Sequence, residues 1–368
     1  MSGYLLILVW VAFVGFVVWS SRILSGRDEV AVWNRGGGIS VPGVILAVLP
    51  LVIWTGFRGN VGDTAGYRGA FALMPSSLSG ISDYIINVVT KDRGFYFSSA
   101  LIKTVIGNRV QLYFIILAAA QAFFVFRFFR KYSSSFVLCY FLFIASTDYI
   151  SWMFNGIRQF TAVTITLAGF YFAVNKKFIR AIIIILIAAL FHMSALILIP
   201  FIFLCQGRAW NWKTILWIIA VIAVIVYVDR FTEILDTLLT DTQFENVVSD
   251  WKSWDDDGTS PIRALVYSIP ALISLLGRRY IRDERDPVLN YCSNMSVISA
   301  GLYWISVFTS GIFIGRLPIY ASLYAYPAMI RTIDLMFTKF SARVVYFAMI
   351  ALYLAYYAYA IRYQYGLI

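Results

Sequence analysis

The chain has 368 residues, 61% of them apolar and 18% aromatic, with 13% charged and a formal net charge of +11. A soluble domain is nearer 45–50% apolar and about 25% charged, so this composition excludes an ordinary soluble enzyme and describes an all-α polytopic integral membrane protein. In a soluble protein +11 would point to nucleic acid. Here Lys and Arg gather in short connectors between apolar runs, as the positive-inside bias requires, and no nucleic-acid partner is expected. The three cysteines lie in or beside apolar runs and form no CxxC pair, which argues against a disulfide framework.

At about 20 residues per span, the length allows about 10 to 13 spans, and the pattern reads as about 11–12 transmembrane or re-entrant segments in one domain, 1–368. The first run, Tyr4 to Trp19, lacks a charged leader and a small-residue cleavage site, so it is expected to be a retained span. Arg22, Arg27 and Arg35 follow, placing the 21–38 connector in the cytoplasm. A second span from Ile39 to Thr55 ends at GFRGNVGDTAGYRGAF, which opens a long segment over about 56–110. Within it, Asp83–Val89 and Phe95–Ile106 read as short amphipathic or re-entrant helices. Further spans are expected over Gln111–Phe126, Phe136–Ala145, Arg158–Val174, Thr214–Val228, Ile262–Leu276, Met295–Ile312, Leu317–Ile330 and Val344–Ile361. The 229–261 segment holds nine acids against Arg230 and Lys252, a sign that argues for the outer side.

Sidedness then constrains 178–205. Arg180 and the preceding lysines are inside by charge, as are Arg208–Lys213 and the arginines of 277–285. Two passes must therefore fit between them: one arm over 178–190, a return over 194–205, and His192 with Ser194 at the turn. The alternative, a single helix of about 40 Å, would reverse every later connection. Short arms of this kind are tolerated only inside protein.

This topology sends four polar groups to one outer face: Arg58, Asp63 and Arg68; the Asp148–Arg158 connector with Asn155 and Gln159; His192, the only histidine; and Arg316. A charge placed in hydrocarbon costs about 2.5 kcal/mol or more. The 56–109 segment nonetheless carries six basic residues against three acids on the side that ordinarily lacks them. Arginine's forked donors match phosphate oxygens, so a lipid-linked phosphate or pyrophosphate is the expected ligand. The bland alternatives are snorkelling arginines, a neutral turn histidine and an aromatic belt. One histidine makes no metal site, the DDDG run at 255–258 reads as a solvated loop, and no metal or cofactor is expected. Walker, GxSxG and HExxH patterns are absent.

FRGNVGDTAGY at 57–67, NGIRQ at 155–159, LIAALFHMSALILIP at 186–200 and GRLPIY at 315–320 together resemble the EpsG family. Its members are similar to Wzy-type polymerases of O-antigen, capsule and exopolysaccharide. The resemblance implies a glycosyltransferase type C-like fold in the bacterial inner membrane, facing the periplasm through 56–110 and 229–261. It implies polymerisation of undecaprenyl-pyrophosphate-linked repeat units, with membrane lipid and a chain-length regulator as further partners. It places catalysis at His192, Asp63 and Arg158, and substrate binding at Arg58, Tyr67, Arg68, Asn155, Gln159, Arg316 and Tyr320. The chain departs from the family pattern at DRGF (92–95), where Arg93 stands in place of an acid before Gly-Phe, which puts a carboxylate's role there in doubt. On chemistry alone, His192 is the better-tuned base near neutral pH, with Asp63 its rival. The alternatives are an O-antigen ligase-like transferase and a lipid-linked oligosaccharide flippase.

Overall fold

The computed structural model describes residues 2–24, 38–239, 259–309, 311 and 314–364. Arg27 and Arg35 of the first connector, and Trp251, Trp254 and the DDDG run of the acidic segment, lie outside the described residues. Every regular element among the described residues is helical, so the chain is all-α. In hydrocarbon a backbone must satisfy its own polar groups, and a helix does so within one segment.

The chain clusters into two compact units, Met1–Leu196 with Tyr346–Ile368, and Ile197–Val345. In the first unit, α1 (Ser2–Leu24) and α2 (Val41–Gly56) are followed by three shorter helices, α3 (Thr64–Leu73), α4 (Leu78–Asp83) and α5 (Arg93–Ile106). Then come α6 (Val110–Tyr132), α7 (Phe136–Ala145), α8 (Asp148–Phe154), α9 (Ile157–Thr166), α10 (Phe170–Val174) and α11 (Phe178–Ala189). Ser40 caps α2 by accepting from the Gly43 amide, ahead of Pro42, and Ser135 caps α7 through the Leu138 amide. A Cβ on Gly56 would lie 2.1 Å from Ile115 Cγ1, so the small residue is what lets α2 pack against α6.

The 56–109 segment is a folded layer. Phe71, Phe95, Tyr113, Phe114 and Ile157 form one buried cluster that ties α3 and α5 to α6 and to the start of α9. Phe71 stacks on Tyr113 with centroids 4.1 Å apart, and the Tyr113 hydroxyl lies 2.9 Å from Ser99 Oγ. Lys103, only 6% exposed, donates to the carbonyls of Phe71, Ala72 and Met74 at 2.9, 2.7 and 2.6 Å. It occupies the place of a C-cap for α3, where the helix dipole favours a cation.

In the second unit run α12 (Leu198–Leu204), α13 (Trp212–Val226), α14 (Val228–Leu239), α15 (Pro261–Leu276), α16 (Arg278–Glu284), α17 (Pro287–Val307), α18 (Ile319–Ser322) and α19 (Ala325–Met336). α20 (Lys339–Tyr359) carries the chain back to the first unit. α17 is almost wholly buried and packs on α13, α15 and α19. It starts at Pro287, eight residues before the expected Met295. Asn290 and Asn294, which look like connector residues by hydropathy, are inside the helix and bond to the amides of Ala209 and Trp210 at 2.6 and 3.0 Å.

Among the described residues, four helices are long and apolar enough to cross a membrane: Gly3–Ser21, Val110–Tyr132, Ile157–Val174 and Lys339–Tyr363. Counting each bent pair as one span, Phe136–Ala145 with Asp148–Phe154 (69°) and Trp212–Val226 with Val228–Ile234 (94°), raises the number to six. Four more apolar helices run only 10–17 residues, and at 1.5 Å per residue even the longest is short of a 30 Å core. The count of full spans is therefore lower than the 11–12 segments expected. The helix from Phe178 stops at Ala189, and a 3-10 turn resumes at Met193. The 178–205 stretch is thus broken around His192, in line with the two-arm reading.

Candidate functional site

The centre of the site is the start of α9. Gly156 precedes it with φ +67°, and a Cβ there would stand 2.5 Å from the Trp152 ring. Only glycine fits this sharp entry without strain. The turn delivers Arg158 and Gln159 on the first turn of the helix, where consecutive side chains point about 100° apart.

Arg158 is held by an aspartate 66 residues earlier. Its Nη1 lies 2.5 Å from Asp92 Oδ2, with the two side chains 22% and 9% exposed. Nε donates to the Tyr67 hydroxyl at 3.4 Å, and the guanidinium sits 5.9 Å from the Tyr96 ring centroid. Asp92 takes a left-handed backbone, φ 54°, just before α5, a conformation that Asp tolerates better than most residues. Next to it, the Gly94 amide donates to the Leu190 carbonyl at 2.8 Å. Burial pushes the Asp92 carboxyl above the usual carboxylate range, against the pull of Arg158 and Lys91. Burial also raises the Tyr67 phenol, which keeps it protonated.

Gln159, 3% exposed, points to the other arm. Its Nε2 donates to Ser194 Oγ at 3.2 Å, and that oxygen lies 2.6 Å from His192 Nδ1. His192 and Ser194 are half-buried. Anchoring one ring nitrogen in this way fixes the direction of the other.

Asp63 and Asn155 brace the entry turn. With the Asn155 amide oriented to satisfy both partners, its nitrogen donates to Asp63 Oδ2 at 2.7 Å and Oδ1 at 3.1 Å. The Gly156 amide donates to Oδ2 at 3.4 Å. Arg58 lies beneath, 6% exposed. It donates to the carbonyls of Thr55 and Met153 at 2.6 and 2.5 Å and sits 4.5 and 5.0 Å from the Phe114 and Phe154 ring centroids. Its Nη2 has no partner among the described residues. Burial lowers its pKa to about 10, so it remains a cation at neutral pH. Arg68 Nη2 reaches the Arg58 carbonyl at 3.5 Å.

Eight of the ten site residues expected from the sequence therefore fall in one connected neighbourhood of the first unit: Arg58, Asp63, Tyr67, Arg68, Asn155, Arg158, Gln159 and His192. The other two, Arg316 and Tyr320, belong to the second unit. Arg316 ends a half-buried 3-10 turn and Tyr320 is fully buried. Three contributors were not among the expected site residues. Ser194 lay in a quoted motif, and Tyr96 was read as a stacking or belt residue. Asp92 was discounted because Arg93 occupies the expected acidic position. A carboxylate is present after all, one residue earlier, and its signal was the acid adjoining the substituted position.

Together these features define a class: a multi-pass, all-α membrane protein whose polar centre is built where a spanning helix begins. The chain is narrower than that class alone. The EpsG family model matches residues 44–367, and the chain belongs to the EpsG family. A search of curated proteins and a search of solved structures each returned no match.

Proposed function

We propose that this protein is a glycosyltransferase that polymerises polyprenyl-pyrophosphate-linked oligosaccharide repeat units on the periplasmic face of the bacterial inner membrane, on a type C-like membrane scaffold. The observation that carries this reading is the pairing of two arms on adjacent residues. Arg158, a forked cation oriented by Asp92 and Tyr67, is suited to an anionic phosphate. Gln159 leads through Ser194 to an imidazole suited to taking a proton.

In the proposed reaction an acceptor sugar hydroxyl attacks the anomeric carbon of the donor. The new glycosidic bond forms as the bond to the pyrophosphate oxygen breaks, and polyprenyl pyrophosphate leaves with the electron pair. His192 takes the hydroxyl proton. Charge grows on the pyrophosphate in the transition state, and a preorganised cation there stabilises it more than the ground state. Asp63 is the weaker candidate for base, because Asn155 and the Gly156 amide already occupy its carboxylate. Its part in catalysis is to hold the turn that aims Arg158. Arg58 adds positive potential from behind that turn. Arg68, Tyr67, Arg316 and Tyr320 supply further contacts to the donor.

The test is a vesicle assay with purified protein and a purified lipid-pyrophosphate-linked repeat unit. A ladder of lipid-linked oligomers with release of polyprenyl pyrophosphate supports the proposal. Transfer only to a lipid A core would make the protein a ligase. Movement of the intact donor across the bilayer with no new glycosidic bond would make it a flippase.

A further inference from the structure

The helices that carry the site have a second cluster of chemistry at their other ends. α6 meets the aromatic layer at Tyr113 and finishes on Arg127, Arg130 and Lys131, while Ile157–Val174 starts beside Arg158 and finishes past Tyr171. From Arg158 to Tyr171 is about 20 Å of helix, and both helices are of spanning length. Between their far ends lies a cavity of about 260 Å³, lined by Arg127, Lys131, Phe128, Tyr132, Leu167 and Tyr171 among others.

Its cations are gathered over aromatic faces. Lys131 Nζ is 5.1 Å from the Tyr132 ring centroid and 5.3 Å from that of Tyr171. Lys177 Nζ is 5.7 Å from the Tyr171 centroid, and the Arg180 guanidinium 5.8 Å from that of Phe172. α11 begins at Phe178 with no side-chain cap, which brings the positive end of a helix dipole to the same rim. The segments forming these walls cannot neutralise the charge themselves, since between Asp92 and Asp229 the only acid is Asp148. Arg127, Lys131, Lys177 and Arg180 are all exposed, and the flanking Phe123 and Ile179 are exposed apolar side chains. The volume falls below the roughly 300 Å³ at which small-molecule sites begin, a size for a headgroup and not for a whole lipid.

We propose that this pocket binds the phosphate group of an anionic membrane phospholipid, with Arg127 and Lys131 on the phosphate and the acyl chains along Phe123 and Ile179. This site is separate from the Arg158 centre and does not depend on the function assigned to it.

Native mass spectrometry of the detergent-purified protein tests the proposal, with phosphatidylglycerol and phosphatidylcholine as probes. Phosphatidylglycerol should be retained at least about tenfold better, the scale expected of two basic contacts near a membrane surface. The Arg127→Gln, Lys131→Gln double variant should lose that preference, while Lys131→Arg, which keeps the charge, should retain it. Both residues are exposed, and size-exclusion chromatography confirms that the variants fold. Inorganic phosphate added as competitor separates the sources. Displacement at millimolar phosphate assigns the pocket to a phosphate group whatever carries it, and persistence of the lipid assigns it to headgroup and tail together. Equal retention of both lipids, or undiminished phosphatidylglycerol binding by the double variant, would overturn the proposal.

Discussion

The contact between Asp92 and Arg158 is the sharpest place to test the site. Asp92→Asn keeps an oxygen for Nη1 and suits the left-handed backbone at least as well, so the change removes charge and little else. Deleting one partner of a buried pair costs about 3–5 kcal/mol, and of an exposed pair about 0–1 kcal/mol. With side chains 9% and 22% exposed, this pair falls between, at about 2 kcal/mol. If Arg158 must be aimed in the transition state, that loss corresponds to about a 30-fold fall in turnover. The assay is polymer formation from the purified lipid-linked donor, with detergent-solubilised stability measured in parallel.

The same pair sets a pH dependence whose two signs differ. The folded Asp92 carboxyl is raised by burial, so its own contribution to stability is greatest when protonated and declines as pH rises through the folded value. Activity requires the ionised form and should fall as pH drops through that value, at milder acidity than an exposed aspartate would give. Asp92→Asn should flatten this acid limb. Wild-type turnover in Asp92→Asn, or an acid limb that survives the substitution, would refute the reasoning.

Two further substitutions separate chemistry from framework. His192→Gln keeps hydrogen-bonding capacity and removes the base, so turnover should fall by about 10²–10⁴ at unchanged protein level, and near-normal polymer would move the proton to another group. Lys103→Met leaves the carbonyls of Ala72 and Met74 without their ammonium donor, whereas Phe71 O still accepts from the Met74 amide. At about 1–3 kcal/mol per buried unsatisfied group, offset by no longer burying a charge, we expect a net loss of about 2 kcal/mol. Denaturant titration of the purified protein measures it, and an unchanged midpoint would remove Lys103 from the framework.

Hydropathy reads the ends of α1, α2 and Ile157–Val174 closely, because each is an apolar run bounded by glycine, serine or charge. It misses the bends. Apolarity continues from Phe136 through Phe154, yet the path turns by 69° at Ser146–Thr147, where Thr147 has φ 64°. It also misreads α17, whose asparagines look like solvent contacts and instead serve buried amides of the 209–210 loop. The candidate site was legible in its motifs because polar residues in apolar surroundings are conspicuous. Asp92 was not, since nothing local in DRGF reports an arginine 66 positions downstream. The link from Gln159 through Ser194 to His192 was hidden for the same reason, as its members come from two separate motifs.

Adjacent placement of Arg158 and Gln159 has a mechanical consequence. A rotation of α9 that improved the aim of one side chain would swing the other by the same angle away from its partner. Neither arm can be retuned alone by moving the helix, so the two stay in fixed phase like cams on one shaft. Adaptation to a different sugar must therefore come from walls that α9 does not carry, such as the face of α3. A one-residue insertion after Ile157 would unlatch both arms at once.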